Sequence, residues 1–202
     1  MSQAFLVPAK FCEVEETIKN SRFITQIFKV TDAEHARQII AQQKETYADA
    51  RHVCSAFVAG PPSDSAQYGF SDDGEPGGTA GKPMFAVLQG AGLGHVLAIS
   101  IRYFGGIKLG TGGLVKAYAG GVKKGLLELK TEQMVPMHDY RLVCGYHHLD
   151  RIEYWLNELD GHILDTEYSD KLVIKLALSE ASYDHLQNKL NDLQLQLQAS
   201  DA

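Results

Sequence analysis

The chain has 202 residues, of which 45% are apolar and 22% charged, a composition that excludes intrinsic disorder and leaves room for one large domain or two small ones. Its net charge of −6 is unevenly divided, with +1 on residues 1–133 and −7 on residues 134–202. Overall acidity therefore argues against indiscriminate nucleic-acid binding, but not against a local basic face on the first part. No apolar run reaches membrane-spanning length. Met1–Phe5 lacks the basic and apolar regions of a secretion signal, and Cys12, Cys54 and Cys144 lie too far apart to suggest a disulfide framework. A cytoplasmic protein with reduced thiols is expected.

In chain order, Phe11 to Val30 reads as two strands separated by the polar turn Lys19-Asn20-Ser21-Arg22. Thr31-Asp32-Ala33-Glu34 has capping-box spacing ahead of a helix carrying Ala36, Ile39 and Ile40 on one face. His52 to Ala59 predicts a strand, followed by a long loop to Thr79. A short helix begins near Ala80, with Pro83 tolerable in its first turn. The apolar strand Val96–Ile101 runs into a glycine segment, and a helix is expected from about Gly113 to Lys130. Met134-Val135-Pro136-Met137 reads as a linker, which divides the chain into 1–133 and 134–202. Beyond it, Tyr140, Leu142 and Cys144 alternate as a strand, and Leu149, Ile152, Leu156 and Leu159 form a helical stripe. Strands His162–Tyr168 and Lys171–Leu178, a helix marked by Tyr183, Leu186 and Leu190, and a last strand over Leu193–Leu197 complete the order βαββαβ. That is the split unit of a ferredoxin-like domain, so the fold class is α+β.

Sixteen of the nineteen glycines lie between Gly69 and Gly125. Glycine permits positive φ and lets another molecule approach the backbone closely. From Arg102 the sequence runs Tyr103, Phe104, Gly105, Gly106, Ile107, Lys108, Leu109, Gly110, Thr111, Gly112, Gly113, and Lys116 follows. Between His95 and Leu127 there is no Asp or Glu. Loop N–H groups from Gly105 to Gly113 and the cations Arg102, Lys108 and Lys116 suit phosphate, and Tyr103 or Phe104 suits an unpaired base. Turn formation and close packing are the structural alternative. The spacing matches neither the dinucleotide fingerprint nor the P-loop.

Asp72, Asp73 and Glu75 form an acidic loop that could hold a divalent cation, fold over the basic segment, or serve as a solvated turn with Glu75 paired to Arg102 or Lys82. The turn is the favoured reading, and no metal site is assigned. His52 and Cys54 share one face of a strand and read as core rather than as a nucleophile pair. His147-His148 reads as surface, and Trp155 as core.

Phe70-Ser71-Asp72-Asp73-Gly74-Glu75-Pro76-Gly77-Gly78-Thr79-Ala80-Gly81 and the segment Arg102 to Gly110 resemble the two signatures of the IMPACT family, as does Arg51-His52-Val53-Cys54. The resemblance is to bacterial members and covers the whole chain. It implies a first domain like the second domain of a small-subunit ribosomal protein and domain four of elongation factor G, and a C-terminal domain like that factor's domain five. It also implies one left-handed βαβ connection. Eukaryotic members restrain a starvation-responsive kinase pathway through an extra N-terminal domain for which this chain has no room, so that role is not carried over. No catalytic set or cofactor comes with the family. The expectation is a non-enzymatic protein that binds RNA or the ribosome and regulates translation, with its acidic C-terminal domain available to a protein partner. The alternative is a metal-dependent hydrolase of a phosphorylated small molecule or nucleotide, with Asp72, Asp73 and Glu75 on the ion and Arg102 and Lys108 on phosphate.

Overall fold

A computed structural model describes residues 4–200, so Met1–Gln3 of the N-terminal stretch lie outside it. The chain forms two compact units, Phe5–Met134 and residues 135–200 together with Ala4.

In the first unit β1 (Phe5–Pro8) pairs with β7 (Thr131–Met134). The main sheet joins β2 (Cys12–Ile18), β3 (Ser21–Lys29), β4 (His52–Val58), β5 (Tyr68–Ser71) and β6 (Val96–Tyr103) in the antiparallel order β2-β3-β6-β4-β5. The β2–β3 turn consists of Lys19 and Asn20 alone, at φ 46° and 63°, the pair of left-handed residues that a tight hairpin requires. Ser21 and Arg22, expected in that turn, already pair in β3.

Side-chain alternation gives this sheet two buried faces. Ile24, Val53, Phe57, Leu97, Ile99 and Ile101 pack beneath α1 (Ala33–Thr46). Phe23, Ile27, Cys54, Ala56 and Ala98 meet α2 (Gly81–Ala91) and α3 (Thr111–Glu128) on the opposite side. The cap of α1 is Asp32, which accepts from His35 N at 2.8 Å, whereas the sequence spacing pointed to Thr31. Thr31 instead donates its hydroxyl to Asp32.

The connections β3-α1-β4 and β5-α2-β6 each join parallel strands across one intervening strand. Relative to the first, the second reverses strand direction, direction of travel and the face used. Reversing all three inverts the hand, so one of the two crossovers is left-handed, against the usual preference.

The second unit contains β8 (Met137–Cys144), α4 (Leu149–Glu158), β9 (His162–Tyr168), β10 (Leu172–Ser179), α5 (Glu180–Asn191) and β11 (Leu197–Ala199). Its antiparallel sheet has the order β11-β8-β10-β9, the arrangement in which a βαββαβ chain places both helices on one face. Leu142, Cys144, Leu172, Ile174 and Leu176 meet Ile152, Leu156, Leu186 and Leu190 there. Ser179 caps α5 through Ser182 N. The final strand starts at Leu197 rather than Leu193, because residues before it close a turn in which Gln194 adopts φ 56°. Trp155 packs against the edge of this core, with Lys189 Nζ 5.6 Å from its ring centroid.

Candidate functional site

The end of the main sheet holds a row of side chains set by strand register. His52 stands opposite Arg102, and Arg102 opposite Phe23, all on the side covered by α3. Arg102 Nη1 donates to Glu75 Oε1 at 2.6 Å, and the Tyr118 hydroxyl donates to the same oxygen at 2.7 Å. The Glu75 and Arg102 side chains are only 3% and 8% exposed. The guanidinium lies 5.6 Å from the ring centroids of both Phe23 and Phe104.

The Arg102 result corrects its sequence-based role as an open phosphate contact. Its charge is already matched by Glu75, and the pair is largely buried. Of the two sequence alternatives for Glu75, Arg102 is the partner. Lys82, also named there, is exposed.

The acidic loop is committed residue by residue. Asp72 accepts backbone N–H bonds from Gly78, Ala80 and Gly81 at 2.7–2.9 Å, capping α2 from outside the helix. Burial alone would raise its carboxyl, but these donors outweigh that and hold it below the ordinary carboxylate range. Asp73 accepts from Val53 N and Lys44 Nζ, and its carbonyl accepts from His52 Nδ1 at 2.8 Å. Among the described residues no group of three or more His, Cys, Asp or Glu is placed to hold a metal. The convergence of Asp72, Asp73 and Glu75 that metal-dependent hydrolysis needs is therefore not found there.

Cys54 is fully buried and donates to the Asp72 carbonyl at 3.0 Å. Burial, assisted by the neighbouring carboxylates, pushes its thiol up to about 12, so it remains protonated and unreactive near neutral pH. Burial also pushes the Tyr118 hydroxyl up, which suits its role as donor to Glu75. The rings of His147 and His148, in a single-turn helix, have centroids 3.9 Å apart and are tilted by 45°.

The aromatic pair is split by strand alternation. Tyr103 packs with the core beneath α1, donates to Asp49 at 2.9 Å and lies under the Arg22 guanidinium. Phe104 lines a cavity of about 470 Å³ on the α3 side, together with Arg51, His52, Glu75, Arg102, Lys108, Gly110 and Thr111. Lys116 is exposed on α3 but does not line that cavity.

The glycines have separate reasons. An added Cβ at Gly105 would fall 1.9 Å from the Asn20 carbonyl oxygen, and one at Gly113 would press on Leu109 at 3.0 Å. Gly110 sits at φ 74°, ψ 165°, a region essentially restricted to glycine, and Gly106 adopts φ 87°. Gly112 differs from all of these. It lies in the first turn of α3 without positive φ, and an added Cβ would meet no described atom within 4 Å. Gly112→Ala is therefore expected to stabilise the protein by about 0.5–1 kcal/mol, read as a higher urea midpoint at unchanged m-value.

Sequence reasoning missed Arg51 as a cavity cation and Tyr118 as the second donor to Glu75. Arg51 immediately precedes the strand that carries His52, but only the folded structure brings it to the same cavity as Lys108.

These features define a two-unit α+β protein whose first unit carries a cationic cavity at a helix N-terminus. The chain belongs to the IMPACT family: residues 19–126 match the Impact N-terminal domain, and residues 142–193 match a domain of unknown function, DUF1949. It is 47% identical to the IMPACT family member YigZ of Escherichia coli (strain K12), over 94% of this chain and 93% of that protein. An IMPACT family member of Haemophilus influenzae is 42% identical, over 93% of this chain and 91% of the relative. The crystal structure of an hypothetical protein matches with a TM-score of 0.81 at 46% identity, covering 100% of this chain and 99% of that one. Among the described residues no helix is long and apolar enough to cross a membrane.

Proposed function

We propose that the chain is a non-enzymatic, cytoplasmic protein of translation that docks RNA, free or ribosomal, on the α2/α3 side of its first unit. The observation that carries this reading is the absence of any Asp or Glu from Pro76 to Leu127, the stretch that supplies all of α2 and all of α3 except its last residue, Glu128. Lys82, Lys116, Lys123 and Lys124 are exposed along it, and Lys108 with Arg51 stands at the cavity. Lys116 and Lys123 are two helical turns apart and so share a face of α3. The left-handed crossover supports likeness of the first unit to domain four of elongation factor G, and the βαββαβ order supports likeness of the second to domain five. The second unit, at net −7 over residues 134–202, suits a protein partner better than phosphate.

Retention of single-stranded RNA on filters should fall steeply with salt, because neutralised phosphates release counterions. Lys116→Ala with Lys123→Ala should reduce the slope of log K against log salt by about 1.4, at roughly 0.7 per lost contact. An unchanged slope and affinity in the double variant would reject this face as the docking surface.

A further inference from the structure

We propose that the cavity at the start of α3 binds a nucleoside monophosphate, with phosphate on the first N–H groups of the helix and the base against Phe104. This deepens the phosphate-binding reading of the glycine segment and rests on it, but concerns the cavity rather than the lysine-bearing helical face.

Four observations converge on the cavity. Its volume of about 470 Å³ lies within the usual range for small-molecule sites, about 300–1,000 Å³. Its lining carries the exposed cations Arg51 and Lys108, while its carboxylate, Glu75, is held by Arg102 and Tyr118. The local charge therefore favours an anion.

The second observation is the opening of α3. This helix has eighteen residues, a glycine at its N-cap, no side-chain cap bond and no acidic residue in its first turn. Uncapped N–H groups and the helix dipole attract phosphate there. Third, Arg102 lines the same cavity at 6% exposure, and its buried Nε finds no hydrogen-bond partner among the described residues. A buried guanidinium N–H left unpaired points to a further acceptor.

Fourth, Gly112, which adjoins the lining residue Thr111 without itself lining the cavity, has neither a packing reason nor a positive φ to explain it. What it leaves at this turn is unobstructed backbone. Phe104 supplies the remaining part, being 43% exposed with the Arg102 guanidinium 5.6 Å from its ring centroid. One aromatic surface beside one phosphate cradle fits a single nucleotide.

The test is an amide NMR titration of the full chain with adenosine 5′-monophosphate, adenosine and inorganic phosphate in turn. The expected result is that the monophosphate shifts the amides of Thr111, Gly112 and Gly113 and the Phe104 ring. It should bind at least tenfold more tightly than adenosine or phosphate alone. Gly112→Asp adds a carboxylate to the first turn of α3, next to the lining residue Thr111, where it competes with phosphate for the same N–H groups while favouring the helix dipole. It should keep the melting temperature at or above that of the parent and weaken the monophosphate at least tenfold.

A stable Gly112→Asp variant with undiminished affinity, or no shift at residues 111–113, would overturn the proposal. Oligouridylate with and without a 5′-phosphate separates the sources. Tighter binding of the phosphorylated than of the unphosphorylated oligomer, with shifts at residues 111–113, assigns the pocket to an RNA end, and equal binding of the two oligomers assigns it to a free nucleotide. RNA retention with no nucleotide-induced shifts would sink this proposal alone. Shifts without RNA retention would sink only RNA docking on the helical face.

Discussion

Glu75→Ala is expected to destabilise the first unit by about 3–5 kcal/mol, the cost of stranding one partner of a buried ion pair. The size follows from what the substitution leaves behind. Arg102 would keep a full charge in a site where its side chain is 8% exposed, with Nε already unpartnered. The Tyr118 hydroxyl would lose its acceptor as well. Deletion of the anchor between the 72–81 loop and the sheet adds to the loss, although Asp72 and Asp73 still hold that loop through their own bonds. Glu75→Gln separates charge from shape, since it retains an acceptor for Tyr118 while removing the countercharge. It should fall between Glu75→Ala and the parent. Combining Glu75→Gln with Arg102→Met removes both charges and should recover most of the stability lost by Glu75→Ala. Urea unfolding of the three variants at constant m-value provides the measurement. A loss below about 1 kcal/mol for Glu75→Ala would show that water reaches Arg102 and that the pair is effectively a surface one.

The elements that the sequence made legible are those whose signal is local. Alternation in Leu172, Ile174 and Leu176, and the stripe of Ile152 and Leu156, appear in the structure as buried residues of one core. Features that depend on distant partners were not legible. The 60–79 stretch reads as loop, yet Tyr68–Ser71 is a strand, because Ser55–Val58 offers it a free edge. Phe5–Pro8 has no alternation to announce it and exists by pairing with Thr131–Met134, far along the chain. Arg102 illustrates the same limit at the candidate site. A segment free of carboxylates suggests unopposed cations, but its countercharge comes from a loop 27 residues earlier. The clustering of glycines is plain in the sequence. Their division into close packing at Gly105, conformational need at Gly110 and neither at Gly112 requires coordinates.

That division makes Gly105→Ala the second large effect, with an expected loss of about 2–3 kcal/mol from overpacking. The new Cβ would lie 1.9 Å from the Asn20 carbonyl oxygen and 2.0 Å from its carbon, and no side-chain rotation relieves a clash with backbone. Asn20 cannot easily retreat. It is one of two left-handed turn residues, and the Ile18–Ser21 pair closes the hairpin around them. Movement must therefore come from the 104–110 segment, which also loses the bond from Gly105 N to Ser21 Oγ. Phe104, Lys108 and Gly110, all part of the cavity wall, would shift with it. Thermal unfolding should show a clearly lower midpoint, and the Phe104 ring resonances should move, whereas Gly112→Ala raises the midpoint despite lying only seven residues away. An unchanged midpoint for Gly105→Ala would mean that the segment backs away from the hairpin without cost. The cavity wall would then be unanchored, and a rigid phosphate cradle at the start of α3 would lose its physical basis.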